Sequence, residues 1–155
     1  MINRLGRISA AMTLIMALVA FIIVLLRYVF NLGWVSLQEV VIYLHAGAFI
    51  LAMPYALKHD AHVRVDVLYE KMSEKQRAVT QIIGLFLLYF PLFGMLFYEC
   101  FPYVKDSWSV FETSADAGGL PILFLLKSLL LVLPVLMYIQ GFVWLKSAIG
   151  VLRTK

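Results

Sequence analysis

The sequence predicts an all-α integral membrane protein with four membrane-spanning helices. The 155-residue chain is 63% hydrophobic and only 14% charged, with a mean hydropathy of +0.93. Soluble domains are about 45–50% apolar and about 25% charged, and a chain this short cannot bury so much apolar surface in water. A single cysteine, Cys100, excludes a disulfide-stabilised scaffold.

Four long apolar stretches predict the spans, which we place at residues 8–27, 37–57, 77–98 and 120–145. Each is close to the roughly 20 residues that a helix needs to cross the hydrocarbon core. Helices are expected because lipid offers no partner to an unpaired backbone group, and the stretches lack the alternation of barrel strands. We expect a single membrane domain over residues 1–155. The first span is expected to be retained because no signal-peptide cleavage motif precedes Arg27.

The distribution of basic residues predicts the orientation. Ten lysines and arginines lie in the N-terminal segment, the middle loop and the C-terminal segment, whereas the opposite side holds only Arg27 and Lys105. The positive-inside rule therefore predicts that both termini are cytoplasmic. The basic side would contact anionic lipid headgroups, so the high pI does not indicate a nucleic-acid partner.

Two connecting segments have amphipathic character. Residues 58–76 on the cytoplasmic side carry apolar residues at helical spacing, which predicts a short helix in the membrane interface. Residues 99–119 form the periplasmic segment. Within it Val104, Trp108 and Phe111 share one helical face, which predicts a second surface helix.

Helix-start signals and small residues add local detail. Ser36 with Glu39, and Ser73 with Gln76, have the spacing of capping boxes. Pro121 is expected in the first turn of the fourth span, and prolines inside two spans are expected to kink them; the latter are Pro91 and Pro134. Small residues spaced by four allow close helix packing, within the chain or with a partner; they are Ser9, Thr13 and Ala17, and Ala48, Ala52 and Ala56.

Ionisable residues near the membrane suggest structural roles. Glu39 starts the second span, a position that favours capping and subunit packing over a proton or substrate site. Lys127 lies in a fourth span longer than the core requires. It can therefore snorkel to the outer boundary or pair with an acid on a neighbouring subunit, and the sequence leaves both open.

Candidate cofactor sites are weak. Only His45 lies within a span, so haem held between two histidines is disfavoured. His59 and His62 are three residues apart but no further ligand completes a metal set. No phosphate loop, nucleophile elbow or acid–base dyad is present. With few polar groups at depth, the residues predict a non-enzymatic accessory subunit without cofactor.

Several ordered motifs resemble one family. They are Arg27-Tyr-Val-Phe-Asn31 with Trp34 and Gln38-Glu39, the run from Leu57 to Asp66, Ser73-Glu-Lys-Gln-Arg77, the segment from Pro102 to Trp108 with Glu112 and Ser114, and the run from Gly118 to Lys127. Together they resemble the small membrane (Q-type, DctQ-like) subunit of tripartite ATP-independent periplasmic (TRAP) transporters, nearest to the mannitol/chloroaromatic or 2-oxo-acid branch.

The resemblance implies a function. A large multi-span permease subunit would carry the substrate and sodium sites and move as an elevator, and a periplasmic substrate-binding protein would deliver an organic acid anion. The small subunit would anchor and stabilise the large one in the bacterial inner membrane and help form the docking surface. It would bind no substrate itself, and sodium rather than ATP would drive uptake.

Individual residues can be assigned to the expected contacts of such a subunit. Expected structural or subunit-interface residues are Arg27, Trp34, Glu39, His62, Arg64, Asp66 and Lys127. Expected contacts with the binding protein or the large subunit are Trp108, Glu112 and Asp116. Two alternatives remain: a haem- or quinone-holding anchor of a redox complex, and a small self-sufficient homodimeric exporter.

Overall fold

The computed structural model describes residues 2–59 and 72–153, and within them the chain forms four long helices. These are α1 (Ile2–Val29), α2 (Val35–Lys58), α3 (Glu74–Ser109) and α4 (Leu123–Arg153). All four are long and apolar enough to cross a membrane, which confirms the predicted fold class. Most of the predicted interfacial segment 58–76 lies outside the described residues.

The helices lie in a single row in the order α1–α2–α4–α3. The main contacts join α1 to α2, α2 to α4, and α4 to α3. Because successive helices alternate in direction, α2 and α4 run parallel, and each is antiparallel to its outer neighbour. We call the end where α1 begins and α4 ends the terminal end. The opposite end, with residues 30–34 and 110–122, is the loop end.

Small residues allow α1 to pack against α2. The Ser9 hydroxyl donates a buried hydrogen bond of 2.7 Å to the Ala48 carbonyl. Ser9 is also the one residue of α1 that is buried. The two predicted small-residue stripes therefore meet within the chain at this point, whereas Thr13 and Ala17 are exposed.

A single π-helical stretch, Leu85–Tyr89, interrupts α3 next to a proline. The Phe90 amide bonds the Leu85 carbonyl five residues back. Pro91 has no amide hydrogen, so an ordinary helix would leave a carbonyl unpaired here. The wider turn accommodates the proline that the sequence places within this span.

Reciprocal tyrosine bonds hold α3 against α4. The Tyr89 hydroxyl donates to the Met137 carbonyl at 2.7 Å, and the Tyr138 hydroxyl donates to the Phe90 carbonyl at 2.6 Å. The Tyr138 and Phe90 rings stack with centroids 5.4 Å apart. Each hydroxyl thus finds an acceptor in an apolar surrounding, where an unpaired one would be costly.

One predicted capping box is confirmed and the other is wrong. Ser73 caps α3, its hydroxyl accepting from the Gln76 amide while the Gln76 side chain accepts from the Ser73 amide. In α2 the N-cap is Trp34, without a side-chain bond, and the helix already begins at Val35. Glu39 does not cap α2 because its carboxylate binds groups of the distant 110–122 loop.

Two predicted boundaries at the loop end also differ. The third helix continues to Ser109 instead of ending near Tyr98, so the expected separate surface helix is the last part of α3. Burial of Val104 and Ser107 keeps this part on the fold. The fourth helix begins at Leu123, which leaves Pro121 in the loop and not in the first turn.

Candidate functional site: a charged cluster at the loop end

Five side chains from three helices and the 110–122 loop form what we call the loop-end cluster. They are Glu39, Tyr103, Glu112, Ser114 and Lys127. The cluster ties the loop to α2 on one side and to α4 on the other. It is the main concentration of polar contacts that the structure describes between distant parts of the chain.

Both carboxylate oxygens of Glu39 accept hydrogen bonds from the loop. Oε2 accepts from the Leu120 amide at 2.6 Å, and Oε1 accepts from the Ser114 hydroxyl. The two partners lie 81 and 75 residues further along the chain. Bonds to an ionised carboxylate are among the stronger protein hydrogen bonds. Glu39 therefore fixes the loop above α2, and both of its carboxylate oxygens are engaged within the chain.

Glycines let the loop approach Glu39 closely. Gly118 has a φ of +79°, a left-handed conformation that glycine adopts without strain. A Cβ on Gly119 would lie 2.6 Å from Glu39 Oε1 and would also collide with Ser114. The Ser114 amide donates to the Leu120 carbonyl at 3.1 Å, which closes the loop.

Lys127 pairs with an acid of its own chain. Its ammonium forms a salt bridge with Glu112, and Nζ lies 4.1 Å from the centroid of the Tyr103 ring. Its side chain is 14% exposed. Snorkelling and an acid on a neighbouring subunit were the two expected arrangements. The structure shows a third, in which Glu112, a loop acid eleven residues before the start of α4, folds back over the helix.

The salt bridge favours the charged form of Glu112. The hydrogen bond from the Lys127 ammonium holds the pKa of the Glu112 carboxyl below its ordinary value of 4.5. A lowered pKa stabilises the folded state at pH values above that ordinary value. This contribution is lost as the pH falls through the lowered pKa.

We therefore expect Glu112→Gln to lower the thermal stability of the detergent-purified chain at neutral pH, where the salt bridge is formed. Below pH 4.5 the difference between wild type and variant should shrink, because the unfolded wild-type chain binds a proton at Glu112 there, and it should vanish once the pH falls below the lowered pKa of the folded state. Melting curves across this range measure the effect. Asp116→Asn, an exposed acid of the same loop, is the matched control and should leave the neutral-pH melting temperature unchanged.

Aromatic residues extend the cluster along α3 and α4. The Trp108 indole N–H donates to the Ser128 hydroxyl at 2.7 Å, and its ring meets Phe124 edge-on with centroids 4.7 Å apart. Phe111 also packs edge-on against Phe124 although its backbone φ is 46°. Trp108 and Phe111 nevertheless remain 43% and 65% exposed, so they present aromatic surface at this end.

The other predicted residues do not join the cluster. Arg27 and Asp116 are exposed, and Trp34 is 54% exposed as the N-cap of α2. The remaining three predicted residues lie outside the described part of the chain; they are His62, Arg64 and Asp66.

Sequence reasoning missed three partners in this region. Tyr103 and Ser128 carry no local pattern that points to Lys127 or Trp108. Ser114 gave a weak signal, since it lies in the motif that resembles the family, but nothing linked it to Glu39. Their roles depend on contacts between helices.

The described residues offer little for cofactor chemistry. Within residues 2–59 and 72–153 there is no group of three or more histidine, cysteine or acidic side chains that could hold a metal ion. His45 is exposed on α2, and the His59 ring packs on Tyr55 with centroids 4.4 Å apart.

These features define a class of protein: a membrane component made of one layer of apolar helices with a fixed polar cluster at one end. A family model described as "Tripartite ATP-independent periplasmic transporters, DctQ component" matches residues 16–150. The chain therefore belongs to the DctQ family and is the small subunit of a TRAP transporter, a membrane component that works with a large permease and a periplasmic binding protein. No curated protein and no solved structure matches the chain.

Proposed function

We propose that this subunit braces the large permease subunit and does not itself conduct substrate. The observation that carries this proposal is the single row α1–α2–α4–α3. A transport path must be enclosed by helices, and one layer encloses no space. The buried polar side chains that the structure describes are few; they are Ser9, Ser107 and Gln140.

A row of helices suits a scaffold. It exposes two broad apolar faces, with large side chains such as Phe21, Phe49 and Leu87 each more than half exposed. Exposed apolar surface of this extent is typical of contact with lipid or with another membrane protein. One face could therefore pack on the large subunit while the other widens its anchorage in the bilayer.

The alternatives fit the geometry less well. A self-sufficient exporter needs an acid that can bind and release protons or cargo, whereas both oxygens of Glu39 are engaged within the chain. A haem anchor needs two facing histidines, and the described spans contain only His45. An accessory subunit needs neither feature.

The proposal also covers the surface that contacts the partner proteins, the transported substrate and the driving force. We infer that the loop end faces the periplasm, as the positive-inside rule predicts, and that exposed Val110, Phe111 and Asp116 contact the binding protein or the large subunit. The transported substrate would be an organic acid anion and the driving force a sodium gradient, as the sequence resemblance implies. We also propose that the chain lies nearest to the mannitol/chloroaromatic or 2-oxo-acid branch, and that Arg64 and Asp66 have structural or subunit-interface roles.

Reconstitution tests the division of labour. Liposomes with this chain alone, with the large subunit alone, or with both are given loaded binding protein and a sodium gradient. We expect uptake only when both subunits are present. Uptake by this chain alone would contradict the proposal that it does not conduct substrate. Full uptake by the large subunit alone would contradict the proposal that the large subunit needs this chain.

A matched pair of variants tests docking. Val110→Asp changes a residue that is 71% exposed in the 110–122 loop, whereas Leu32→Asp changes an exposed residue of the other loop at the same end. We expect only Val110→Asp to raise the binding-protein concentration needed for half-maximal uptake. Equal effects of the two variants would mean that the 110–122 loop is not the specific contact.

A further inference from the structure

An apolar groove runs along α4 and continues into the contact between α4 and α3. Near the terminal end it has a volume of about 420 Å³ and is lined by α4 residues that include Phe142, Leu145 and Ile149. Towards the middle of the row a second stretch of about 420 Å³ shares Phe142 and reaches Gly94 on α3. The α4 residues involved recur every three or four positions, so they lie on one helix face.

Two basic side chains mark the terminal end of this groove. Lys146 and Arg153 both line it, and no acidic side chain is among its described lining residues. They are seven residues apart, about two helical turns, and so project from the same face. Arginine binds phosphate oxygens with its planar fork and lysine binds them as a point charge.

The part of the groove that α4 lines between Val135 and Lys146 is about as long as one leaflet of a bilayer. From Lys146 to Val135, which lines the second stretch, the helix rises eleven residues or about 16 Å. Half of a hydrocarbon core is about 15 Å thick. A molecule with its anionic group at Lys146 would therefore place its apolar tail along Phe142 and end near Val135.

We propose that this groove binds one anionic phospholipid, with its phosphate between Lys146 and Arg153 and an acyl chain along Phe142 towards Gly94. The two basic side chains at the terminal end favour a headgroup with a net negative charge over a zwitterionic one. The apolar wall beyond them accommodates the acyl chain. Basic pockets at the cytoplasmic ends of membrane helices recognise anionic headgroups in the same way. The inference concerns this chain alone and does not depend on its role in transport.

Native mass spectrometry of the detergent-purified full chain tests the proposal. Dioleoyl phosphatidylglycerol and dioleoyl phosphatidylcholine are the probes, and we expect the anionic lipid to bind at least about tenfold more tightly. The double variant Lys146→Gln/Arg153→Gln should lose this preference. The control Arg4→Gln/Arg7→Gln, which removes two exposed bases from α1 at the same end, should keep it.

A charge-preserving variant distinguishes loss of charge from misfolding as the cause of a lost lipid preference. Lys146→Arg/Arg153→Lys should retain the preference for phosphatidylglycerol if charge at these positions selects the lipid. Equal binding of the two lipids by wild type would overturn the proposal. So would an equal loss of preference in the α1 control.

Photo-crosslinking separates lipid from protein as the occupant. A photoreactive benzoylphenylalanine at position 142, where the native side chain is 59% exposed, is activated in membranes that contain the whole transporter. A phospholipid adduct is the expected product. An adduct with the large subunit instead would show that a protein surface covers the groove and would overturn the lipid assignment.

Discussion

Replacing Gly141 by leucine is expected to push α3 away from α4 and to destabilise the protein by at least about 2 kcal/mol. Gly141 is buried, and a Cβ there would lie 2.6 Å from Tyr89 Cε1 and 3.0 Å from Phe90 Cε1. The Tyr89 ring is held by its hydroxyl bond to the Met137 carbonyl, and the Phe90 ring is held by stacking on Tyr138. They cannot move without breaking the contact between the two helices.

Thermal unfolding of the detergent-purified chain measures the effect. Gly84→Leu is the matched control because a Cβ at this α3 glycine meets nothing within 4 Å. The double variant Gly141→Leu/Tyr89→Ala should recover part of the lost stability, since the added side chain could occupy the space of the missing ring. A melting temperature for Gly141→Leu equal to that of Gly84→Leu would show that the helices do not pack as described.

The second large effect is expected for Glu39→Gln. The neutral amide can still accept from the Leu120 amide with its oxygen and donate to the Ser114 hydroxyl with its NH2 group, but both bonds lose the negative charge of the carboxylate. The bonds that hold the loop are then weaker, and the loop between α3 and α4 opens more often. Hydrogen exchange of the Leu120 amide should accelerate about tenfold, as expected when a hydrogen bond to a charged group is replaced by a neutral one.

Exchange measured on peptides that cover residues 112–122 tests this expectation. Glu99→Gln replaces an exposed acid of α3 and should leave the exchange of the loop unchanged. Gly119→Ala provides an independent test because its Cβ would displace the Glu39 carboxylate. If Glu39→Gln exchanges like wild type, the carboxylate does not hold the loop.

The predicted fold class required little beyond composition and the lengths of the apolar stretches. Lipid enforces helices that satisfy their own backbone groups, so four stretches of about 20 residues are enough to predict four spanning helices. The Ser73–Gln76 capping box was predictable for a related reason, because its partners are three residues apart and need no tertiary contact.

The candidate site was only partly predictable. The sequence predicts structural or interface roles for Glu39 and Lys127, since charged groups next to apolar spans are costly unless partnered, and a contact with the binding protein or the large subunit for Glu112. The groups that these three side chains contact were not predicted. Glu39 suited a local capping box in the sequence, yet its carboxylate binds a loop about 80 residues away. Local spacing cannot reveal a bond that exists only once α2 and the loop lie side by side.

The sequence by itself determined that this protein is a four-span membrane component, and its ordered motifs indicated the TRAP small subunit. The row α1–α2–α4–α3, the fixed loop and the groove at Lys146 and Arg153 were decided only by the tertiary structure. The physical reason is that lipid is as apolar as a helix–helix contact. Hydrophobicity therefore shows which residues lie in the membrane, while packing at small residues and bonds between distant polar groups determine which helices meet.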